Sequence, residues 1–267
     1  MKQIAIIIDQ TLDKLKTENL FKDASNVSLY FITDYLESNT LDLGQFRTNQ
    51  SPKVYIDLIT NINQMGYAHI MILTSSKHLT KSYELSGLAS DILKDVAIDI
   101  IDTNTFGPGI SYLMMCICYW ARQGFSYKRI LVLLKEQIQN NSTLIYTKTY
   151  KYPLDNIFKK LLKPFIKGVV VGSNQGFKIE QAIYNERKVF DILYRKIQGA
   201  KTLNPNIQLF IFGGTNQSHA KLLQHELYKL DKSLSIQQYD HIENEITNYF
   251  GDDMYGVYIG YYEEMRV

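Results

Sequence analysis

The sequence predicts an α/β protein: a parallel sheet with helices on both faces, followed by an α+β unit. Three observations predict it. Short apolar runs alternate with amphipathic stretches through the first half, those runs are continuous rather than alternating, and the pattern changes after about residue 142. Continuous apolar strands are buried on both faces, which is the condition of a parallel sheet carrying helices on each side. At 267 residues, 45% of them hydrophobic, the chain has the length and the apolar content for two cores. The boundary is expected near residue 145, with an α/β domain over 1–145 and an α+β domain over 146–267. No Gly/Ser-rich or Pro-rich linker separates the two, and no internal repeat is present.

In chain order, "QIAIIID" and "VSLYFI" are buried strands, and "KVYIDLITNINQMG" has helical spacing closed by Gly66. "HIMILT" is a third strand, "SYELSGLASDILKD" a helix and "VAIDIID" a fourth strand. "FGPGI" is a turn into the long apolar helix "GISYLMMCICYWARQG", which ends at Gly124. "SYKRILVLLKEQIQNN" is a further helix with Ser126 as its N-cap. Then "TLIYTK" and "GVVVGSNQGFKIEQAIY" are strands, the second broken by a turn at Asn174 to Gly176. Helix "ERKVFDILYRKIQG", strand "IQLFIFGG", helix "SHAKLLQHELYKL" and strands "SIQQYD" and "MYGVYIGYY" complete the chain.

Several function classes are disfavoured. The net charge of +2 comes without a dense basic run, so nucleic acid is not an expected partner. The densest patch, "KKLLKPFIK", suits a helix face whose lysine stems lie along apolar surface. No stretch approaches the ~20 apolar residues of a membrane span, and the N-terminal run is too short for a signal peptide. Cys116 and Cys118 stand two apart on a helix, where residues do not face each other; they are expected to be buried thiols. A cytoplasmic protein is expected. There is no phosphate-binding GxxxxGK[ST], no GxGxxG, no GxSxG and no HExxH, and the five histidines show no metal spacing. No metal or cofactor is expected.

What does recur is a hydroxyl cluster at strand ends. The third strand runs into Thr74, Ser75 and Ser76, with Thr80 and Ser82 just beyond. Asp9, Gln10 and Thr11 follow the first strand, Thr48 and Ser51 precede a helix, and "DTNTFGPG" follows the fourth strand. Each cluster alone suits helix capping. In a parallel sheet all these ends share one edge, where such folds bind ligands. Three readings stay open: a mouth for an anion lined by neutral hydroxyls, a serine enzyme, and a structural protein whose pocket has degenerated. For the enzyme, a hydrolase or phosphotransferase, Ser75 or Ser76 would be the nucleophile and His78 the nearby base.

The ordered motifs resemble the DegV family of fatty-acid-binding proteins. "IIDQT" at residues 7–11 is similar to the family's "ITDST", "TNQSP" at 48–52 to "TSQPS", and "SSKHLTKSYEL" to "SSxLSGTYQSA". "IIDTNTFGPG" and "LLKPFIKGVVVGSNQGFK" echo two further segments, so the resemblance runs over nearly the whole chain. It implies a two-domain protein holding a long-chain fatty acid in a tunnel between the domains, with no chemistry of its own. It also implies a carboxylate-binding set of Thr48, Ser76 or Ser75, Thr80, Gln10 and Asp9. A fatty acid kinase is the implied partner. The chain departs from the family pattern at several places. Gln10 stands for the Ser of "TDST", Lys81 for the Gly of "SGT", and "GGRIS" is replaced by "TYKYP" at 149–153. The family's Arg and His positions, which the resemblance links to the kinase, fall on Tyr184 or Asn185 (with Arg187 nearby) and on Tyr262. Hand-off to a kinase is therefore expected to be slow or absent.

Neutral hydroxyls suffice energetically for such a head group. An acyl chain gains about 0.8 kcal/mol per buried CH₂, on the order of 10 kcal/mol for a long chain. Desolvating the carboxylate costs several kcal/mol, and each hydrogen bond to it returns about 1.5–3 kcal/mol.

Overall fold

A computed structural model of the chain describes residues 4–9, 27–32, 51–149, 166–173, 176–240, 242 and 244–261. Of the residues singled out above, Gln10, Thr11, Thr48 and Tyr262 lie outside the described residues, as do "TYKYP" beyond Thr149 and most of "KKLLKPFIK".

The chain divides into two compact units, Met1–Ile138 and Gln139–Val267. The division falls earlier than residue 145 because the strand from Ser142 pairs entirely within the second sheet.

The first unit is built on four parallel strands in the order β2-β1-β3-β4: β1 Ile4–Ile8, β2 Val27–Phe31, β3 His69–Thr74 and β4 Ile98–Asp102. All five residues of β1 are buried, and so are Ile70 to Thr74 of β3. That is the burial of central strands, and it explains the unbroken apolar runs. Ala5, Ile7, Ile70 and Ile72 line one face. They pack with Tyr55, Leu58, Ile59 and Ile62 of α1 (Pro52–Gln64) and with Leu85 and Ala89 of α2 (Ser82–Ile92). Ser51 caps α1, its hydroxyl accepting from Lys53 N–H at 3.2 Å, and Gly66 supplies the positive φ of 78° just past its end. The flanking strands are less buried, as edges are.

Helix α3 (Gly107–Arg122) is apolar nearly all round, and both cysteines on it are buried. Burial pushes the Cys116 thiol up to about 12, which keeps it protonated and inert. Helix α4 (Tyr127–Asn140) starts at Ser126, whose hydroxyl accepts from Arg129 N–H at 3.4 Å. Among the described residues, no helix is long and apolar enough to cross a membrane.

The second unit carries a six-stranded mixed sheet in the order β7-β6-β5-β10-β8-β9. Its strands are β5 Ser142–Thr147, β6 Gly168–Gly172, β7 Lys178–Ile183, β8 Ile207–Gly213, β9 Ser235–Tyr239 and β10 Tyr255–Tyr261. β6 and β7 form an antiparallel hairpin, and β8 and β9 are parallel, joined through α6 (Ser218–Leu230). Its core gathers Val189, Ile192, Leu193 and Ile197 of α5 (Val189–Leu203) with Leu209, Ile211, Val257 and Ile259 of the sheet. Among the described residues, one element has no counterpart in the sequence expectations: the short helix α7, Asn244–Phe250. It buries Ile246, Thr247 and Phe250, too few apolar positions for a periodic signal.

Candidate functional site

In an open parallel sheet, ligands bind at the carboxyl edge where the strand order reverses. Here that point lies between β1 and β3, and the hydroxyl-rich segment leaves β3 there. Register explains the convergence: Ile8 pairs with Leu73 and Thr74 with Asp102, so the three strands end level.

Thr74, Ser75 and Ser76 at the edge of β3 are buried, and most of these hydroxyls have a defined task. Thr74 Oγ1 donates to Ile101 O at 3.3 Å, and Thr103 Oγ1 donates to Thr74 O at 2.7 Å, joining the ends of β3 and β4. Ser75 is tied to β1: its N–H donates to Asp9 Oδ2 at 2.8 Å and its hydroxyl to Asp9 Oδ1 at 3.1 Å. Asp9, Thr74, Ser75, Ser76, Thr103 and Thr105 are all nine-tenths or more buried.

Ser76 is the exception. Its side chain is fully buried, and its Oγ accepts from His78 N–H at a long 3.4 Å. Among the described residues its own proton has no acceptor. A buried hydroxyl with an unused proton carries a desolvation cost that a ligand acceptor can recover. Its carbonyl heads the turn into α2, accepting from Leu79 N–H at 2.8 Å and Thr80 N–H at 3.1 Å. Thr80 Oγ1 in turn accepts from Ser82 N–H at 3.4 Å, so Thr80 serves the start of α2.

On the β4 side, Asp102 Oδ1 accepts from Asn104 N–H at 2.9 Å and from Lys77 N–H at 3.4 Å, with Lys77 Nζ 3.8 Å from Oδ2. Asn104 takes the left-handed conformation at φ 52°, which asparagine tolerates, and turns the chain into α3.

For a serine enzyme, the nucleophile's hydroxyl must donate to a base. Ser75 donates to Asp9, and no hydrogen bond joins the exposed imidazole of His78 to either serine among the described residues. Nor, among them, does any group of three or more His, Cys, Asp or Glu come together to hold a metal ion.

Tyr184 and Arg187 lie on the second unit, after β7. Both are exposed, Tyr184 at 52%, and Arg187 sits in a 3₁₀ turn (Glu186–Lys188) capped by Asn185. Its guanidinium makes no ion pair or hydrogen bond among the described residues, while neighbouring Glu186 pairs with Lys148 at 3.2 Å. What sequence reasoning missed is the Asp9–Ser75 pair, since nothing in a strand-end aspartate names its partner 66 residues away.

The profile of the DegV family of uncharacterised proteins matches residues 45–153. The segment contains both the "TNQSP" and the "SSKHLTKSYEL" motifs. Solved structures share the fold over nearly all of the chain. A DegV family protein of Corynebacterium glutamicum is 16% identical, with 98% of this chain and 97% of that one covered at a TM-score of 0.76. A fatty acid binding DegV family protein of Streptococcus agalactiae is 14% identical, with 98% and 99% covered at 0.73. The Streptococcus pneumoniae Fatty Acid Kinase (Fak) B3 protein, loaded with linoleic acid, is 14% identical, with 97% and 99% covered at 0.68. No curated protein matches the chain. The resemblance to the DegV family and the two-unit fold expected from the sequence are both borne out.

Proposed function

We propose that this protein binds a long-chain fatty acid, holds its carboxylate at the carboxyl edge of the first sheet, and carries out no chemistry on it. The observation that carries the proposal is Ser76: a fully buried hydroxyl, its proton unused among the described residues, at the point where the strand order reverses. The similar solved structures include a fatty acid binding protein from Streptococcus agalactiae and one from Streptococcus pneumoniae loaded with linoleic acid, which supports this reading.

In this reading the groups divide their work. Ser76 donates to the carboxylate, and Thr48, matched to the first Thr of the family's "TSQPS", donates alongside it. Thr80 and Ser51 start helices, as their bonds to Ser82 N–H and Lys53 N–H support. The acyl chain supplies most of the affinity through burial, and the head-group bonds fix its direction.

Native mass spectrometry of protein purified from a bacterial host tests this directly. A long-chain fatty acid should be retained and should exchange for added palmitate or oleate. Lipid-free protein that refuses both would overturn the proposal.

A fatty acid kinase is the partner this reading supplies, with a restriction. The family's arginine matches Tyr184 or Asn185 here, and neither side chain carries a positive charge at neutral pH. Tyr262, in place of the family's histidine, is followed by Glu263 and Glu264, which repel phosphate groups. Phosphate transfer from ATP to the loaded lipid by a conventional fatty acid kinase should therefore be slow or absent. Turnover at the rate of an Arg- and His-containing relative would refute this, and its loss in Arg187→Ala would show which cation had taken over.

A further inference from the structure

Strand β3 lies between β1 and β4, and its exit is tied to both neighbours through three successive residues. On the β1 side, Ser75 gives its N–H and its hydroxyl to the two oxygens of Asp9, at 2.8 and 3.1 Å. On the β4 side, Ser76 N–H donates to Thr105 O at 2.7 Å and Lys77 N–H to Asp102 Oδ1 at 3.4 Å. Ser76 stands at the centre of this clamp, its backbone held on both flanks and its hydroxyl proton unused among the described residues.

We infer that Asp9 is a positioning residue for the head-group site: it acts through Ser75 to hold Ser76 in place, and does not itself contact the ligand. The inference rests on the fatty-acid reading above. The chemistry separates the two roles for Asp9. A carboxylate is an acceptor and offers no proton to a second carboxylate; in direct contact the two repel. Set one residue back, with its oxygens engaged by Ser75, Asp9 fixes the loop before any ligand arrives. Placing a donor in advance removes an ordering cost from the binding step. The bonds involved are to a charged group in a buried setting, the stronger kind. Aspartate therefore belongs here because it accepts two bonds at once from the N–H and the hydroxyl of one residue.

The two roles predict opposite signs. If Asp9 positions Ser76, Asp9→Ala should weaken palmitate binding about tenfold, the scale of one charge-assisted bond. Asp9→Asn should lie closer to the parent, because its amide can accept from Ser75 N–H and donate to Ser75 Oγ. In a Ser76→Ala background, Asp9→Ala should have little further effect, since the group it positions is gone. If instead the charge of Asp9 faces the ligand, both Asp9 variants should bind palmitate more tightly than the parent. A role confined to fold stability would give the same loss with and without Ser76. Either of these two results overturns the inference.

Should Asp9→Ala fail to fold, Ser75→Ala decides the matter. It removes only the hydroxyl leg of the clamp, and should cost about threefold in the parent and nothing in the Ser76→Ala background. Equal losses in both backgrounds would again overturn the positioning role. A parent protein that binds no palmitate would overturn the fatty-acid reading itself, whereas a parent that binds, with additive variants, removes only the clamp.

Discussion

Replacing Thr48 and Ser76 together with alanine is expected to weaken fatty acid binding by about 2–4 kcal/mol, roughly 30- to 700-fold. Each hydroxyl removes one bond to a charged acceptor, and the carboxylate left behind keeps part of its desolvation cost. Stability should hardly change. Ser76 lies beyond the last residue of β3, and its backbone bonds to Thr105, Leu79 and Thr80 do not involve the side chain. The measurement is a titration with palmitate at fixed ionic strength, with a thermal melt beside it. Parent-like affinity in the double variant would put the head group elsewhere and dissolve the match to the "TSQPS" and "SSxLSGTY" motifs.

The scaffold that carries these hydroxyls was open to reading because its signals are local. The β1 and β3 strands are runs of apolar residues long enough to cross a sheet and short enough not to be helices, and glycines close α1 and α3. Helix α7 stayed hidden for the same reason in reverse: three buried residues in a short polar segment have no period to detect. At the site, "SSKHLTK" announces hydroxyls at a strand end but not which one is unoccupied. Spacing cannot separate Ser75 from Ser76. A bond to Asp9, brought adjacent only when β1 and β3 pair in register, engages Ser75 and leaves the proton of Ser76 unused among the described residues. Long-range partners of this kind depend on topology, and a single sequence does not display them.

The second unit rests on a close approach that a single methyl group should break. Gly256 lies in β10, a central strand paired with Ile145 of β5 on one side and Phe212 of β8 on the other. A Cβ at Gly256 would overlap the carbonyl oxygen of Leu144 and stand 2.9 Å from Cζ of the fully buried Phe212 ring and 3.1 Å from Cα of Ile145. Two of those neighbours are backbone within the sheet, so relief requires β5 and β10 to separate, which strains their ladder. Gly256→Val should cost about 3 kcal/mol or more, at the upper end of overpacking effects. Against a total stability of about 5–15 kcal/mol this is a large share. Gly87, in α2, provides the contrast: nothing lies within 4 Å of a Cβ built there, and its backbone is helical. Gly87→Ala should therefore stabilise by about 0.5–1 kcal/mol through helix propensity and the unfolded chain. Urea unfolding of the two variants beside the parent gives both numbers from one experiment. A Gly256→Val protein that unfolds at the parent's midpoint would mean that β5 and β10 lie farther apart than this register places them.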